Sequence, residues 1–365
     1  MNDILQGTVL EQCAKLPGAD IYNLKSDKYV NNYYVVSSGS STKLMSSPEV
    51  VGFYSYQCML APTIATFKYF KEQGLDGKFD ILTILRGGLN YPLEEACYTA
   101  GIQVGNMNFI SCERKIENGV ITGLDIKYEK LHIAKDVSLL IGDIVASGDT
   151  LRLCLWQIID RFRRKGGSIR RIIFFTIGGT KAITLMEGLT TMIREIWPEF
   201  EGFTCVFYEG IFTVYTEKGV TGVNIPDIDF GWKGGAVSPD FRRFVFRFNE
   251  YALFEKCIIY DGGARRYEIP EHIEEVTEYW EDILRVAPQT DMKAFVAEKI
   301  GYEGTPSYED WLEILHYRNN ATNRSLYDLE MNFVRRSADL KLEDVARTRL
   351  AQFGKSLEKY KAGKA

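Results

Sequence analysis

The stretch VSLLIGDIVASGDTL, residues 137–151, decides the reading of this chain. Val137 and Leu139 to Ile141, interrupted only by Ser138, give the pattern of a strand buried on both faces. Asp143 follows at the carboxyl end of that strand. Ala146, Ser147 and Gly148 are small enough for the backbone to curl tightly, and Thr150 stands where a helix over 150–165 should open. The helical spacing puts Leu151, Cys154, Leu155, Ile158, Ile159 and Phe162 on one face and Arg152, Arg161 and Arg164 off it, with Gly166-Gly167 as the stop. A helix N-terminus offers N–H groups and partial positive charge, a combination that favours a phosphate. The hydroxyls of Ser147 and Thr150 add donors, and Asp143 faces the same cleft as an acceptor for sugar hydroxyls. An ordinary strand–turn–helix junction with Thr150 as a cap would read the same way, and the loop alone does not separate the two.

Outward from this stretch the same rhythm repeats. The strand FDILTIL (79–85) enters a Gly-Gly turn and a helix over 89–100. VGNMNFISC (104–112) leads to a polar hairpin around Asn118-Gly119. RRIIFFTI (170–177) is followed by a helix over 180–196, ended by Pro198, and then by the strand FTCVFYEGIFTVY (203–215). The alternation predicts an α/β fold, a parallel sheet flanked by helices on both faces. Ligands of such sheets bind beyond the carboxyl ends of the strands. Upstream, residues 20–45 read as one or two short strands ending in a flexible run, SSGSSTK (37–43), and a helix is expected from about Ser47-Pro48. After about Arg266 the chain becomes a Glu-, Lys- and Arg-rich helical pattern, broken at Pro288, at Gly304-Thr305-Pro306 and around Asn319-Asn320. The expected division is a sheet domain over 1–266, its core roughly 45–240, and a mostly helical C-terminal extension over 267–365.

Bulk properties remove several function classes. A net charge of −5, with no basic run interleaved with aromatics, argues against a nucleic-acid partner. The apolar runs fall short of a membrane span, and MNDILQGTVLEQC has neither the basic start nor the apolar run of a secretory signal. The seven Cys are scattered without a C-x-x-C pair and read as reduced thiols of a cytoplasmic protein. No dinucleotide-binding G-x-G-x-x-G follows a strand, and neither G-x-x-x-x-G-K-[ST] nor G-x-S-x-G occurs. A second unusual loop does stand out: in ILRGGLNYP (84–92), Arg86 ends a buried strand and precedes Gly87-Gly88. An Arg there can pair with an anion through its planar fork, although a surface Arg beside a plain turn would look no different.

Taken together, these loops carry a resemblance. The run Asp143-Ile144-Val145-Ala146-Ser147-Gly148-Asp149-Thr150 resembles the ribose-phosphate loop of type I phosphoribosyltransferases. ILRGGL, about fifty residues upstream, is similar to that family's pyrophosphate loop, most closely the ILRAGL of uracil phosphoribosyltransferase. TGVNIPDIDFGWKGG (221–235) is similar in placement to the segment with which the uracil enzymes read their base. The resemblance implies a reaction: displacement of pyrophosphate from phosphoribosyl pyrophosphate (PRPP) by a nitrogen of a nucleobase-like acceptor. Residues 144–150, that is Ile144, Val145, Ala146, Ser147, Gly148, Asp149 and Thr150, would then wrap the 5-phosphate, and Asp143 would contact the ribose hydroxyls. Arg86, Gly87 and Arg114 would hold the pyrophosphate. Ile225, Asp227, Asp229 and Phe230 would cover the acceptor. Mg²⁺ would be bound through the pyrophosphate, with Asp143 the candidate protein ligand, and the enzyme would be a homodimer. The chain departs from the family at Gly142, where an acid is usual, at Asp149, which puts a negative charge near the phosphate, and in DFGWKGG, which replaces the Gly-Asp-Ala-Gly-Asp-Arg ending. These departures keep a second reading open, a catalytically silent regulator that binds a nucleotide or PRPP.

Overall fold

The computed structural model describes residues 4–117, 120–146, 148–213, 218–225, 233–255 and 262–361. The strands are β1 (Val9–Leu16), β2 (Ala19–Lys25), β3 (Asn32–Ser37), β4 (Lys78–Leu85), β5 (Gln103–Glu117), β6 (Val120–Lys130), β7 (Val137–Gly142), β8 (Ile169–Gly179), β9 (Phe203–Phe212) and β10 (Gly235–Val237). They form one sheet in the order β1-β2-β3-β9-β8-β7-β4-β5-β6, with β10 on the end of β9. From β3 to β5 all neighbours are parallel. The flanks are not: β1 and β2 run antiparallel beside β3, β6 runs antiparallel to β5, and β10 to β9. The sheet is therefore mixed rather than parallel throughout. Connections as short as Pro17-Gly18 cannot make the long crossover that parallel neighbours require.

Twelve α-helices are described: α1 (Gly39–Ser46), α2 (Phe53–Glu72), α3 (Leu93–Ala100), α4 (Asp149–Arg164), α5 (Lys181–Ile196), α6 (Pro239–Phe248), α7 (Gly262–Tyr267), α8 (Ile269–Val286), α9 (Met292–Ile300), α10 (Tyr308–Ile314), α11 (Ala321–Ser337) and α12 (Leu342–Lys361). β7 is buried along its whole length, and α4 buries the six residues that its periodicity selects. Two local expectations are corrected. SSGSSTK is no flexible run: Ser38 and Ser41 exchange side-chain-to-backbone bonds in a capping box and start α1. The next helix opens at Phe53, not at Ser47-Pro48, because the Pro48 carbonyl lies 3.0 Å from His272 Nε2 of α8 and belongs to the loop pinned there. Ser38→Ala should cost about 1 kcal/mol in stability, read as a lower denaturation midpoint with an unchanged slope.

The helices after α7 share the core of the sheet. Leu10 of β1 bridges Tyr317. Arg242 of α6 and Glu330 of α11 form an ion pair at 2.6 Å, both side chains fully buried. Tyr302 and Trp311 donate to the same Glu330 at 2.7 and 3.0 Å. The Glu330 carboxylate thus meets one guanidinium and two neutral donors, which offsets the cost of burying its charge.

Candidate functional site

Beyond Gly142 the chain keeps pairing with β8 before it turns. Asp143 N–H donates to Phe175 O at 3.1 Å and Val145 N–H to Ile177 O at 3.1 Å, while Val145 O accepts from Gly179 N–H at 3.2 Å. Val145 and Ala146 are buried. They form the floor of the loop, so the expected wrapping of a phosphate cannot draw on Val145's own N–H. The turn itself is made by Gly148, whose φ of 80° is the left-handed region that favours glycine. Its carbonyl accepts the first helical bond, from Arg152 N–H at 2.8 Å. α4 thus opens at Asp149, one residue earlier than the sequence predicts. Asp149 is exposed and Thr150 half-buried. Asp149 adds an acid to the first turn, where the dipole favours it. Water and salt screen its charge there, easing the conflict with a phosphate.

β4 lies next to β7 in the sheet, with Leu82 in register with Ile141, so its own terminal loop falls beside Asp143. The Leu85–Arg86 peptide is cis, and Gly87–Asn90 form a short 3-10 turn. A Cβ on Gly87 would stand 2.4 Å from Asp143 Oδ1, and one on Gly88 would stand 3.2 Å from the Gly142 carbonyl oxygen. The glycines are what let the two loops close on each other. Gly142 has a packing reason as well. A Cβ there would meet Cβ and Cγ of Tyr91 at 2.5 Å. The Tyr91 hydroxyl accepts from Ile177 N–H at 3.1 Å, which fixes the ring where an acidic side chain would otherwise start. Arg86 is 79% exposed and pairs with Glu268 at 3.6 Å, a partner 182 positions away that no local pattern signals.

Burial pushes the Asp143 carboxyl up to about 7, against the pull of the Ile144 N–H bonded to Oδ1 at 2.8 Å. This raised value fixes two signs. The folded pKa lies above the unfolded one, so the contribution of Asp143 to stability is full below the unfolded pKa and is lost as pH rises through about 7. Binding of sugar hydroxyls at Asp143, the role that the resemblance implies, would run the other way, because the carboxylate is the better acceptor. Affinity for ribose 5-phosphate should climb up to tenfold per pH unit and level off above about 7. Calorimetric titration across that range tests this, and Asp143→Asn should flatten the profile.

The remaining predicted residues are less fully placed. Arg114 lies on β5 three residues beyond Ser111, the register partner of Leu85, so its backbone runs past the Arg86 loop; its side chain is outside the described atoms. Ile225 is half-buried at the end of a segment tied to α9 by Val220 N–H donating to Glu298 Oε2 at 2.9 Å. Ser147, Asp227, Asp229 and Phe230 lie outside the described residues. At the carboxyl ends of β8 and β9 opens a cavity of about 1000 Å³, lined among others by Thr180, Thr213, Lys233, Asp310, His316 and Tyr317. The described residues of the loop after β7 do not line it; Gly148, Asp149 and Arg152 instead line, with Lys181 and Leu185, a separate cavity of about 350 Å³. Among the described residues no three His, Cys, Asp or Glu side chains gather in a way that could hold a metal ion, and no helix is long and apolar enough to cross a membrane.

No protein-family model and no curated protein matches the chain. Solved structures do show similarity. A protein of Aquifex aeolicus is 13% identical, with a TM-score of 0.33, over 47% of this chain and 84% of that one. A hypothetical protein from Neisseria gonorrhoeae with bound ppGpp is 11% identical, with a TM-score of 0.25, over 35% and 68%. A hypoxanthine-guanine phosphoribosyltransferase of L. donovani is 17% identical, with a TM-score of 0.28, over 36% and 74%. Overlaps this loose do not place the chain in a family.

Proposed function

We propose that the chain is a phosphoribosyltransferase that moves ribose 5-phosphate from PRPP to a ring nitrogen of a nucleobase-like acceptor and releases pyrophosphate. The observation that carries this reading is the contact between the loops. Gly87 lies so close to Asp143 that no side chain fits between them. A group held at Arg86 and a ribose held at Asp143 would be bonded neighbours, as pyrophosphate and ribose are in PRPP. The 5-phosphate would sit at the first turn of α4, which opens at the left-handed turn of Gly148.

Displacement at an anomeric carbon passes through an oxocarbenium-like transition state, so the work of the protein is to position the reactants and to stabilise the departing charge. Asp143 would orient the ribose through its hydroxyls, and Arg86 would donate to the leaving oxygens. Asp143 is the one protein ligand proposed for Mg²⁺, and this suits an ion that keeps its waters and binds mainly through substrate phosphates. Mg²⁺ bound there would neutralise charge on the pyrophosphate. Calorimetric titration with PRPP and Mg²⁺, followed by an assay of pyrophosphate release over a panel of purine and pyrimidine bases, tests the reading. Binding of PRPP without release for any base would exclude turnover.

The second reading, a silent binder of a nucleotide or PRPP, is favoured by two specific contacts. Tyr91 fills the place of the usual first acid, and Glu268 already engages Arg86. The same titration separates the two readings, since the silent protein binds and releases nothing.

A further inference from the structure

Among the described residues, Cys13, Cys58, Cys97, Cys112, Cys154 and Cys205 are free thiols. Two of them meet, although 42 residues separate them in sequence: Cys112 Sγ and Cys154 Sγ are 3.9 Å apart. Cys112 is half-buried on β5, one residue past Ser111, and the β5–β6 ladder slips register between these two residues. Cys154 is fully buried on the inward face of α4, one turn beyond Thr150. We propose that Cys112 and Cys154 are a redox modification site, which a hydroperoxide converts to a reversible disulfide that ties β5 to the first turns of α4.

The geometry demands little of the fold. Disulfide sulfurs stand about 2.05 Å apart, so closure needs an approach of roughly 2 Å in all. Side-chain rotation and the irregular ladder at Cys112 can share that movement, while Leu151, Leu155 and Ile158 keep α4 seated. The two thiols also differ in the way a sequential reaction requires. The hydrogen bond shared by the two thiols holds Cys112 below its usual value, against its partial burial, whereas that same bond and burial raise Cys154. Burial raises Cys13, Cys58, Cys97 and Cys205, and all but Cys13 are buried outright. Oxidant should therefore react first at Cys112, the partly accessible thiol with the lowered value.

The step balances with a hydroperoxide as oxidant. The Cys112 thiolate attacks the outer peroxide oxygen and the O–O bond breaks. Cys112 becomes a sulfenic acid, and the departing alkoxide or hydroxide takes up a proton. The Cys154 sulfur then displaces hydroxide from that sulfenic acid, forming the S–S bond, and its thiol proton leaves with the hydroxide as water. Two thiols and one peroxide give one disulfide, one alcohol (or water) and one water. The bond does not depend on the phosphoribosyltransferase reading. Its consequence does: α4 starts at the phosphate loop and β5 carries Arg114, so the tie should change affinity for 5-phosphoribosyl ligands.

The test uses the full reduced chain, treated with an equivalent of hydrogen peroxide, alkylated, and mapped by mass spectrometry without reduction. A Cys112–Cys154 linked peptide should dominate and vanish on adding dithiothreitol. Cys112 should be lost about tenfold faster than Cys97 or Cys205, following its greater thiolate character and exposure. Cys154→Ala should abolish the link and leave Cys112 as a sulfenic acid trapped by dimedone. Cys112 running on to sulfinic acid in the native chain, or oxidation spread over the other thiols, would overturn the proposal. Titration with ribose 5-phosphate before and after oxidation tests the coupling. A linked chain with unaltered affinity would refute it. A reduced chain that never binds ribose 5-phosphate would instead count against the proposed function.

Discussion

Gly148→Val should remove the proposed binding of ribose 5-phosphate compounds and leave a folded protein. At a φ of 80° a β-branched residue is an outlier, so the turn must shift before any ligand arrives. A Cβ at this position meets Leu185 Cδ2 at 3.2 Å and Val145 Cγ1 at 3.5 Å. The first contact is with the end of a half-buried side chain on α5, which can move; the second is with the floor of the loop. The fold survives because α4 is held by six buried residues further along. The first turn does not keep its direction, and added methyls stand where an anion must approach the backbone. Loss of two charge-assisted hydrogen bonds, about 1.5–3 kcal/mol each, lowers affinity by a hundredfold or more. Titration with ribose 5-phosphate, paired with a thermal melt, reads both halves of the expectation. A folded variant with native affinity would remove the phosphate from this loop.

The sequence carries most of what places that loop, because its signals are local. The apolar run into Asp143 and the 3.6-residue spacing of α4 report burial directly, and the structure buries the residues they select. Three kinds of information were not legible. The antiparallel flanks depend on short connections whose pairing the strand pattern alone does not state, which is why the sheet read as parallel. SSGSSTK read as flexible on composition, yet Ser38 and Ser41 cap a helix over a buried acid, Glu209. That glutamate sits within β9 at a φ of 64° and accepts from Ser37 Oγ at 2.6 Å and from Ser38 N–H at 3.1 Å. Nothing in the run FTCVFYEGIF marks its fourth-last residue as a polar hub. The third kind is what stands opposite a glycine. Gly87 and Gly148 read as permissive backbone, and Gly142 as the place of a missing acid. Only the fold shows that Gly87, Gly142 and Gly148 make room for Asp143, Tyr91 and Leu185 respectively.

Arg86→Ala separates a protein that uses PRPP from a silent binder of nucleoside monophosphates. A protein that holds only a nucleoside monophosphate needs no second anion site at the end of β4, whereas one that uses PRPP must meet the charge of the leaving group there. The substitution should weaken PRPP by about 1.5–3 kcal/mol, which is about ten- to 150-fold, and leave a nucleoside monophosphate almost unaffected. Turnover should fall further than binding, because charge on the departing oxygen grows in the transition state. The present partner of Arg86 refines the test. Its ion pair with Glu268 spans 3.6 Å between exposed side chains, and such pairs are worth less than about 1 kcal/mol. A pyrophosphate can therefore displace Glu268 at small cost, and Glu268→Gln should tighten PRPP by no more than about fivefold, more at low salt than at high. If Arg86→Ala weakens both ligands alike, Arg86 is not selective for pyrophosphate. If Glu268→Gln weakens PRPP, the carboxylate helps the site rather than competing for it. The first result would take the leaving group away from Arg86, and with it the site on which the transferase reading depends; the second would make Glu268 a residue that positions Arg86.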